Sequence, residues 1–483
     1  MAQPTLSRAS LATARVLVDK INRDSIAVAR FLSSLGAQLQ LIDLDPLPDD
    51  LRDDCEQLAK QGVLVAAESD PNLTGFEYDV IIADLYPPPI RPFIVRARQQ
   101  GLLVSTLADV LYAFCPVPKI GVTGSAGKST TTALLFEMLI ASGQTAYISQ
   151  ANEGENLWPN YELLNQVERM RPPAWLLTEL TSSHLEYMHT SPDIAIVTVF
   201  SPDHVEWHGS LEDYIEAKET ILQYQASQQW AILNHDDATR TIFAPVCRGQ
   251  VAYFSLTCEL EQGVFLQGDQ LGACWDGKRR TIAVLSDVRL GQRYLGNVLA
   301  ACAGALAAGV EIEAMHQAIK QFSGLPRRME LVGEVSGVSI FNDGWAITPK
   351  KASAALESFP DQSLILIAGG ATQTHWSEAL HSSAEEKALV EQTCRLASRK
   401  AKAIFLFGEV APMLRAYLLA EQYPASALHP VADQNAALPA AIQAATAGDV
   451  VLLAPIFFIN EDDAHAFTLQ VREYVAQFAL SVR

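Results

Sequence analysis

From Val122 to Thr130 the chain reads V-T-G-S-A-G-K-S-T, and these residue types suit one task, the holding of a phosphate. Gly124 and Gly127 carry no side chain to keep an anion away from the backbone, so the N–H groups around Ser125 and Ala126 can close on it. Lys128 adds a point charge, Ser129 a hydroxyl suited to Mg²⁺, and Thr130 continues the same edge. The spacing is a variant of the common G-x-x-x-x-G-K-[ST] loop, since Val122 stands where the opening glycine would fall. A plain glycine turn is the alternative reading of the two glycines; the Lys-Ser pair that follows them speaks for a nucleotide.

Such a loop works only between a strand that aims it and a helix whose N-terminus faces the anion. The apolar run "KIGVT" precedes it and "STTTALLFEMLIASG" follows, as required. Upstream, "RVLVD", "LQLIDLD" and "YDVIIADL" read as strands, with "SIAVARFLSSLG" as a helix between the first two, and "LYPPPIRP" ends the third because proline cannot continue a ladder. Downstream, "AWLLTEL", "DIAIVTVF" and "QWAILN" read as buried strands, and "YLGNVLAACAGALAAGV" and "IEAMHQAIKQF" as helices. The last third repeats the rhythm in "SIFNDG", "SLILIAGG", "KAIFLFG" and "DVVLLAP". The fold class is therefore α/β in three domains. Residues 1–115 form a Rossmann-like domain, 116–323 a central parallel sheet of the P-loop ATPase type, and 324–483 a second Rossmann-like domain.

At 483 residues the chain is too long for one core, and 49% apolar residues suffice to build several. Thirty-five Lys and Arg against 55 Asp and Glu give a net charge of −20, which argues against a nucleic-acid footprint and leaves anionic ligands to local groups. The seven cysteines form no C-x-x-C pair and read as reduced thiols. The N-terminus has no continuous apolar segment and no apolar run of spanning length occurs elsewhere, so a cytoplasmic protein without membrane association is expected.

Further segments occur in a fixed order after the loop: "TELTSSHLEYM", "SPDHVEWHGSLEDYIEAKETIL", "ILNHDD", "GQRYLGNVLAACAGALAAG", "FSGLPRRMELV" and "IFNDGWAITPKKASAAL". With "GSAGKS" they resemble the Mur ligase family, ATP-dependent amide-forming enzymes of peptidoglycan precursor synthesis, and within it the glutamate-adding branch. The resemblance implies ATP and Mg²⁺ as cofactors, a UDP-linked muramoyl substrate and an amino acid as partners, and a monomer. It makes Glu179 a Mg²⁺ ligand and places His204 and Lys218 in the metal site, Lys218 as a carbamate holding a second Mg²⁺. It also turns Arg328 toward the ATP phosphates and Asp343 toward the ribose. The chemistry is self-consistent, because an acyl phosphate is made only where the γ-phosphate is held, its spreading charge neutralised and the nucleophile aligned.

The chain departs from the family pattern at several points. Ala126 replaces the loop asparagine, Tyr294 stands at the first asparagine of H-N-x-x-N, and "DKINRDSI" replaces a glycine loop in the first domain. Trp345 in "DGWAIT" occupies the position of the lysine of D-S-K-A-T-N, for which Lys350 or Lys351 is the nearest substitute. Gln373, Ala454 and the run Glu461, Asp462, Asp463 replace the residues that hold the acceptor's carboxylate, and like charges repel. Three readings stay open: a ligase adding glutamate to UDP-N-acetylmuramoyl-L-alanine, a ligase of the same fold with a neutral or basic acceptor, and a non-catalytic nucleotide-binding paralogue.

Overall fold

The computed structural model describes residues 6–43, 47, 49–67, 78–83, 92–149, 160–202, 208–291, 294–372 and 384–481. The chain divides into two compact units, Met1–Phe322 and Ser323–Arg483.

The first unit holds two sheets. Strands β1 (Arg15–Asp19), β2 (Gln38–Asp43), β3 (Leu64–Ala67), β4 (Val80–Ile82) and β5 (Leu103–Ser105) form an all-parallel sheet in the order β3-β2-β1-β4-β5. Successive side chains of β1 leave by opposite faces: Val16 and Val18 join one apolar cluster, Leu17 another. Helices cover both faces of such a sheet, so its strands read as unbroken apolar runs. Helix α1 (Arg23–Ser34) covers one face with Ile26, Val28 and Leu32.

The central sheet has nine strands in the order β14-β13-β12-β11-β10-β9-β6-β8-β7. They are β6 (Lys119–Thr123), β7 (Thr145–Ser149), β8 (Ala174–Glu179), β9 (Ile194–Val197), β10 (Trp230–Asn234), β11 (Gln250–Ser255), β12 (Gly263–Gln267), β13 (Gln270–Trp275) and β14 (Lys278–Val284). The sheet is parallel as far as β12 and antiparallel beyond it. The antiparallel part was not anticipated from the sequence, although "WDGK" carries its signal. Asp276 and Gly277 both have positive φ, as a two-residue hairpin turn requires. Helix α2 (Lys128–Ala141) buries Leu134, Leu135 and Met138 in the same cluster as Val298, Leu299 and Cys302 of α3 (Leu295–Ala307).

The second unit carries β15 (Glu330–Val335), β16 (Val338–Asn342), β17 (Leu364–Gly369), β18 (Ala401–Phe407), β19 (Leu428–Pro430) and β20 (Val450–Ile456) in the order β15-β16-β20-β17-β18-β19. Only the β15–β16 pair is antiparallel. All six residues of β17 are buried, as a strand covered on both faces must be. All seven cysteines are free thiols. No described helix is long and apolar enough to cross a membrane.

Candidate active site

The phosphate loop leaves β6 at Thr123 and enters α2 at Lys128, as the sequence implied. Both glycines are forced. Gly124 has φ +146° and a Cβ there would lie 2.0 Å from Thr198 Oγ1; Gly127 has φ +85° and its Cβ would lie 2.2 Å from Asn297 Oδ1. The loop is cinched from several sides. Lys128 Nζ donates to the Gly124 carbonyl at 2.9 Å, and Thr198 Oγ1 lies 3.1 Å from the Thr123 carbonyl and 2.5 Å from that of Ala126. Ser125 N donates to the Val199 carbonyl at 2.8 Å, while its hydroxyl donates to the Ser201 carbonyl at 2.7 Å and lies 3.0 Å from the Tyr214 hydroxyl. Ala126, where the family has an amide, is exposed. Thr130 is buried in the first turn of the helix.

Beneath the loop the structure joins residues 50 positions apart. Ser129 Oγ donates to Glu179 Oε2 at 2.7 Å, both side chains being buried, because β8, which ends on Glu179, pairs with β6 and so ends beside the start of α2. Two hard oxygen donors at that separation suit a small divalent cation. Lys218 is 2% exposed and donates to Thr123 Oγ1 at 3.4 Å, with its ammonium 4.9 Å from the centre of the Tyr214 ring. A lysine is seldom buried so deeply without partners. Tyr214 precedes Lys218 by one helical turn on Leu211–Gln223, so the i, i+4 spacing could have disclosed the pair. His204 lies outside the described residues. Nearby, His208 Nε2 meets Ser182 Oγ at 3.0 Å and its Nδ1 meets Glu186 at 3.1 Å.

Sequence reasoning also missed Thr198 and Asn297, whose role depends on where β9 and α3 come to rest. Tyr112, which meets Thr178 Oγ1 at 2.5 Å, has its phenol pushed up by burial. Asp109 binds the two sheets of this unit together, accepting from Ser105, from the backbone N–H of His189 at 3.0 Å and from Thr190 at 2.9 Å. An open cleft at the carboxyl ends of β1 and β4 is lined by Asp19, Asn22, Asp24 and Thr106, and by Ser183 and His184 from the segment that follows Glu179. In an open parallel sheet this point between β1 and β4, where the winding reverses, is where a ligand binds.

A further donor cluster, His235, Asp236 and Cys258, closes the loops after β10 and β11. Burial alone would raise the Asp236 carboxyl, but bonds from Ser255, the Leu256 N–H and Thr257 hold it below the usual carboxylate range. Arg240 donates to His235 Nε2 at 2.8 Å. A cluster that already holds a guanidinium and satisfies its carboxylate internally reads as a loop anchor.

In the second unit Arg328 and Asp343 come together on facing turns. The Asp343 carboxylate accepts from Met329 N at 3.1 Å, and the Arg328 guanidinium lies 5.5 Å from the centre of the Trp345 ring. Lys350 and Lys351 are exposed in the first turn of the helix Pro349–Glu357.

Comparison with known proteins agrees with this geometry. Residues 122–305 match the Mur ligase middle domain and residues 327–457 the Mur ligase, glutamate ligase domain. The UDP-N-acetylmuramoylalanine–D-glutamate ligase of Symbiobacterium thermophilum is 33% identical over 445 residues, 91% of this chain and 92% of the relative. That of Geobacillus kaustophilus is 30% identical over 443 residues, again 91% and 92%. Among solved structures, MurF from Acinetobacter baumannii has a TM-score of 0.59 at 17% identity, covering 96% of this chain and 98% of that one. MurF ligase from Thermotoga maritima, in complex with ADP, has a TM-score of 0.54 at 15% identity over 98% and 99%. With the loop, the Ser129–Glu179 pair and the buried Lys218 placed as they are, and with similarity running through nine-tenths of its length, the chain belongs to the Mur ligase family.

Proposed function

We propose that the protein is an ATP- and Mg²⁺-dependent amide ligase of peptidoglycan precursor synthesis that adds glutamate to UDP-N-acetylmuramoyl-L-alanine. The observation that carries the proposal is the junction of Ser129 and Glu179 beneath a glycine loop armed with Lys128. The loop N–H groups and Lys128 hold the phosphates, and Ser129 and Glu179 present hard oxygens that fit Mg²⁺, which neutralises charge on the transferred phosphoryl group. An oxygen of the alanine carboxylate attacks the γ-phosphorus, the bond to the bridging oxygen breaks and ADP leaves. The acceptor's amine then attacks the acyl carbon, the C–O bond to phosphate breaks, and the amine releases its proton.

Lys218 is the residue we assign to carbamylation: its ammonium gives up one proton and the neutral amine then adds to CO₂ with loss of a second, which turns a buried cation beside a metal site into an anion. His204 completes this metal set in the proposal. Domains 1–115, 116–323 and 324–483 serve the nucleotide-linked donor, ATP and the amino acid respectively, in a cytoplasmic monomer, with the cleft between β1 and β4 as the donor's place.

The test is phosphate release from ATP with UDP-N-acetylmuramoyl-L-alanine and D-glutamate. Release that needs all three substrates and stops with a Mg²⁺ chelator is expected; no release with glutamate would overturn the assignment. A second reading, a neutral or basic acceptor, is favoured by Ala454, which is buried in β20, and by Asp462 and Asp463 exposed at the start of the helix Glu461–Ser481. Turnover with such an acceptor and none with glutamate would establish it.

A further inference from the structure

The chain from Glu179 to Tyr187 touches three parts of the first unit, and a buried histidine holds it there. Glu179 ends β8 on the metal side. Ser182–Leu185 then makes a single helical turn, capped by Thr181 Oγ1, which accepts from His184 N at 3.3 Å. Ser183 and His184 line the cleft at the ends of β1 and β4. Tyr187 is buried with Leu17 and Ile81 of the first sheet, and the Arg98 guanidinium lies 5.1 Å from the centre of its ring. Interiors are close-packed, so a shift of this turn carries the cleft wall with it.

His208 grips the turn at both ends. Its side chain is 1% exposed, its Nε2 lies 3.0 Å from Ser182 Oγ and its Nδ1 3.1 Å from Glu186 Oε2. Glu186 is fixed in turn by Arg98, whose Nη1 donates to Oε1 at 2.9 Å. The imidazole is braced from the other side, where its ring centre lies 5.4 Å from that of the fully buried Tyr214. Gly209, at φ +90°, turns the chain after His208, and Ser210 caps the helix Leu211–Gln223 that carries Tyr214 and Lys218. Two polar neighbours alone would make His208 a satisfied core residue. Here both neighbours belong to the turn that walls the cleft, and the brace belongs to the helix of the metal site.

We propose that His208 is a positioning residue for the donor: held against Tyr214, it fixes Ser182 and Glu186 and thereby sets where Ser183 and His184 meet the donor in the cleft. Imidazole suits the task because its two ring nitrogens point apart in one rigid plane and address two partners at once. The proposal rests on the ligase reading, which assigns the donor to this cleft.

The test measures phosphate release by the full chain while one substrate is varied and the others saturate. Ser182→Ala, which removes one partner and little volume, is expected to raise the KM for UDP-N-acetylmuramoyl-L-alanine roughly fivefold, the scale of one net hydrogen bond. His208→Phe, which keeps a ring against Tyr214, is expected to raise it about tenfold or more. The KM for ATP should stay within about twofold of wild type in both, a split that a general loss of packing would not give. His208→Gln, whose amide reaches toward Ser182 as Nε2 does, should return part of the loss. The double variant Ser182→Ala/His208→Phe should be no worse than His208→Phe alone, because both changes remove one contact. A donor KM within about twofold of wild type in either single variant, an equal rise in the KM for ATP, or additive effects in the double variant would overturn the proposal. If the wild type releases no phosphate with any acceptor, the ligase reading fails on its own. Calorimetric titration with UDP-N-acetylmuramoyl-L-alanine then decides about His208: a raised Kd in His208→Phe supports the proposal, and an unchanged Kd, or no binding by the wild type, rejects it.

Discussion

Two strand-to-helix turns in the first unit have the same topology and opposite electrostatics. After β6 the chain turns through Gly124 and Gly127 into a helix whose N-terminus has no side-chain cap and whose first residue is Lys128. After β1 it turns through Lys20 and Asn22 into α1, where Asn22 Oδ1 accepts from Ser25 N and Ser25 Oγ accepts from Asn22 N, both at 2.9 Å. Asp24 sits in that first turn and Asp19 is buried at the strand end. The first helix keeps its N–H groups open to an anion; the second satisfies two of them locally and surrounds the end with carboxylates. A parallel sheet offers such a crevice at every crossover, and whether it holds a phosphate is decided by three or four residues.

The largest test of this contrast is Lys128→Ala, expected to reduce substrate-dependent phosphate release by roughly 10²- to 10³-fold while leaving the thermal midpoint nearly unchanged. Activity close to wild type would mean that the loop does not hold the nucleotide. Next comes Gly127→Ala, whose methyl would meet Asn297 Oδ1 in a backbone conformation that costs an L-residue about 1–2 kcal/mol. ATP affinity is expected to fall, and Asn297→Ala in the same chain should restore part of it by removing the clash. On the other turn, Asn22→Ala should cost about 1 kcal/mol of stability with no change in KM for ATP. A change in that KM would show that the two turns are not independent.

The smallest effect concerns pH. Because the folded Asp236 carboxyl lies below its ordinary value, it contributes stability above the unfolded pKa, and that contribution is lost as pH falls through the folded value. Thermal midpoints measured from neutral to acid pH should therefore decline less steeply in Asp236→Asn than in wild type. Parallel curves would remove Asp236 from the acid response.

Much of this was legible in the chain. The apolar runs "KIGVT", "AWLLTEL" and "SLILIAGG" announce buried parallel strands because both faces of such a sheet are covered, and Gly-Lys-Ser at a helix start states its own chemistry. The hairpin from β13 to β14 is written in Asp276-Gly277, but short alternating strands give a weaker signal than long helices. What the sequence by itself determined is therefore the class of sheet, the phosphate loop and the residue types around it, all set by local periodicity and by backbone freedom at glycine. Only the tertiary structure decided that Ser129 meets Glu179, that Asn297 and Thr198 leave no room for a side chain in the loop, and that Trp345 gathers two arginines. Those contacts join residues far apart in the chain, or turn on a backbone bent against its local preference, and nothing short of the packed sheets fixes either.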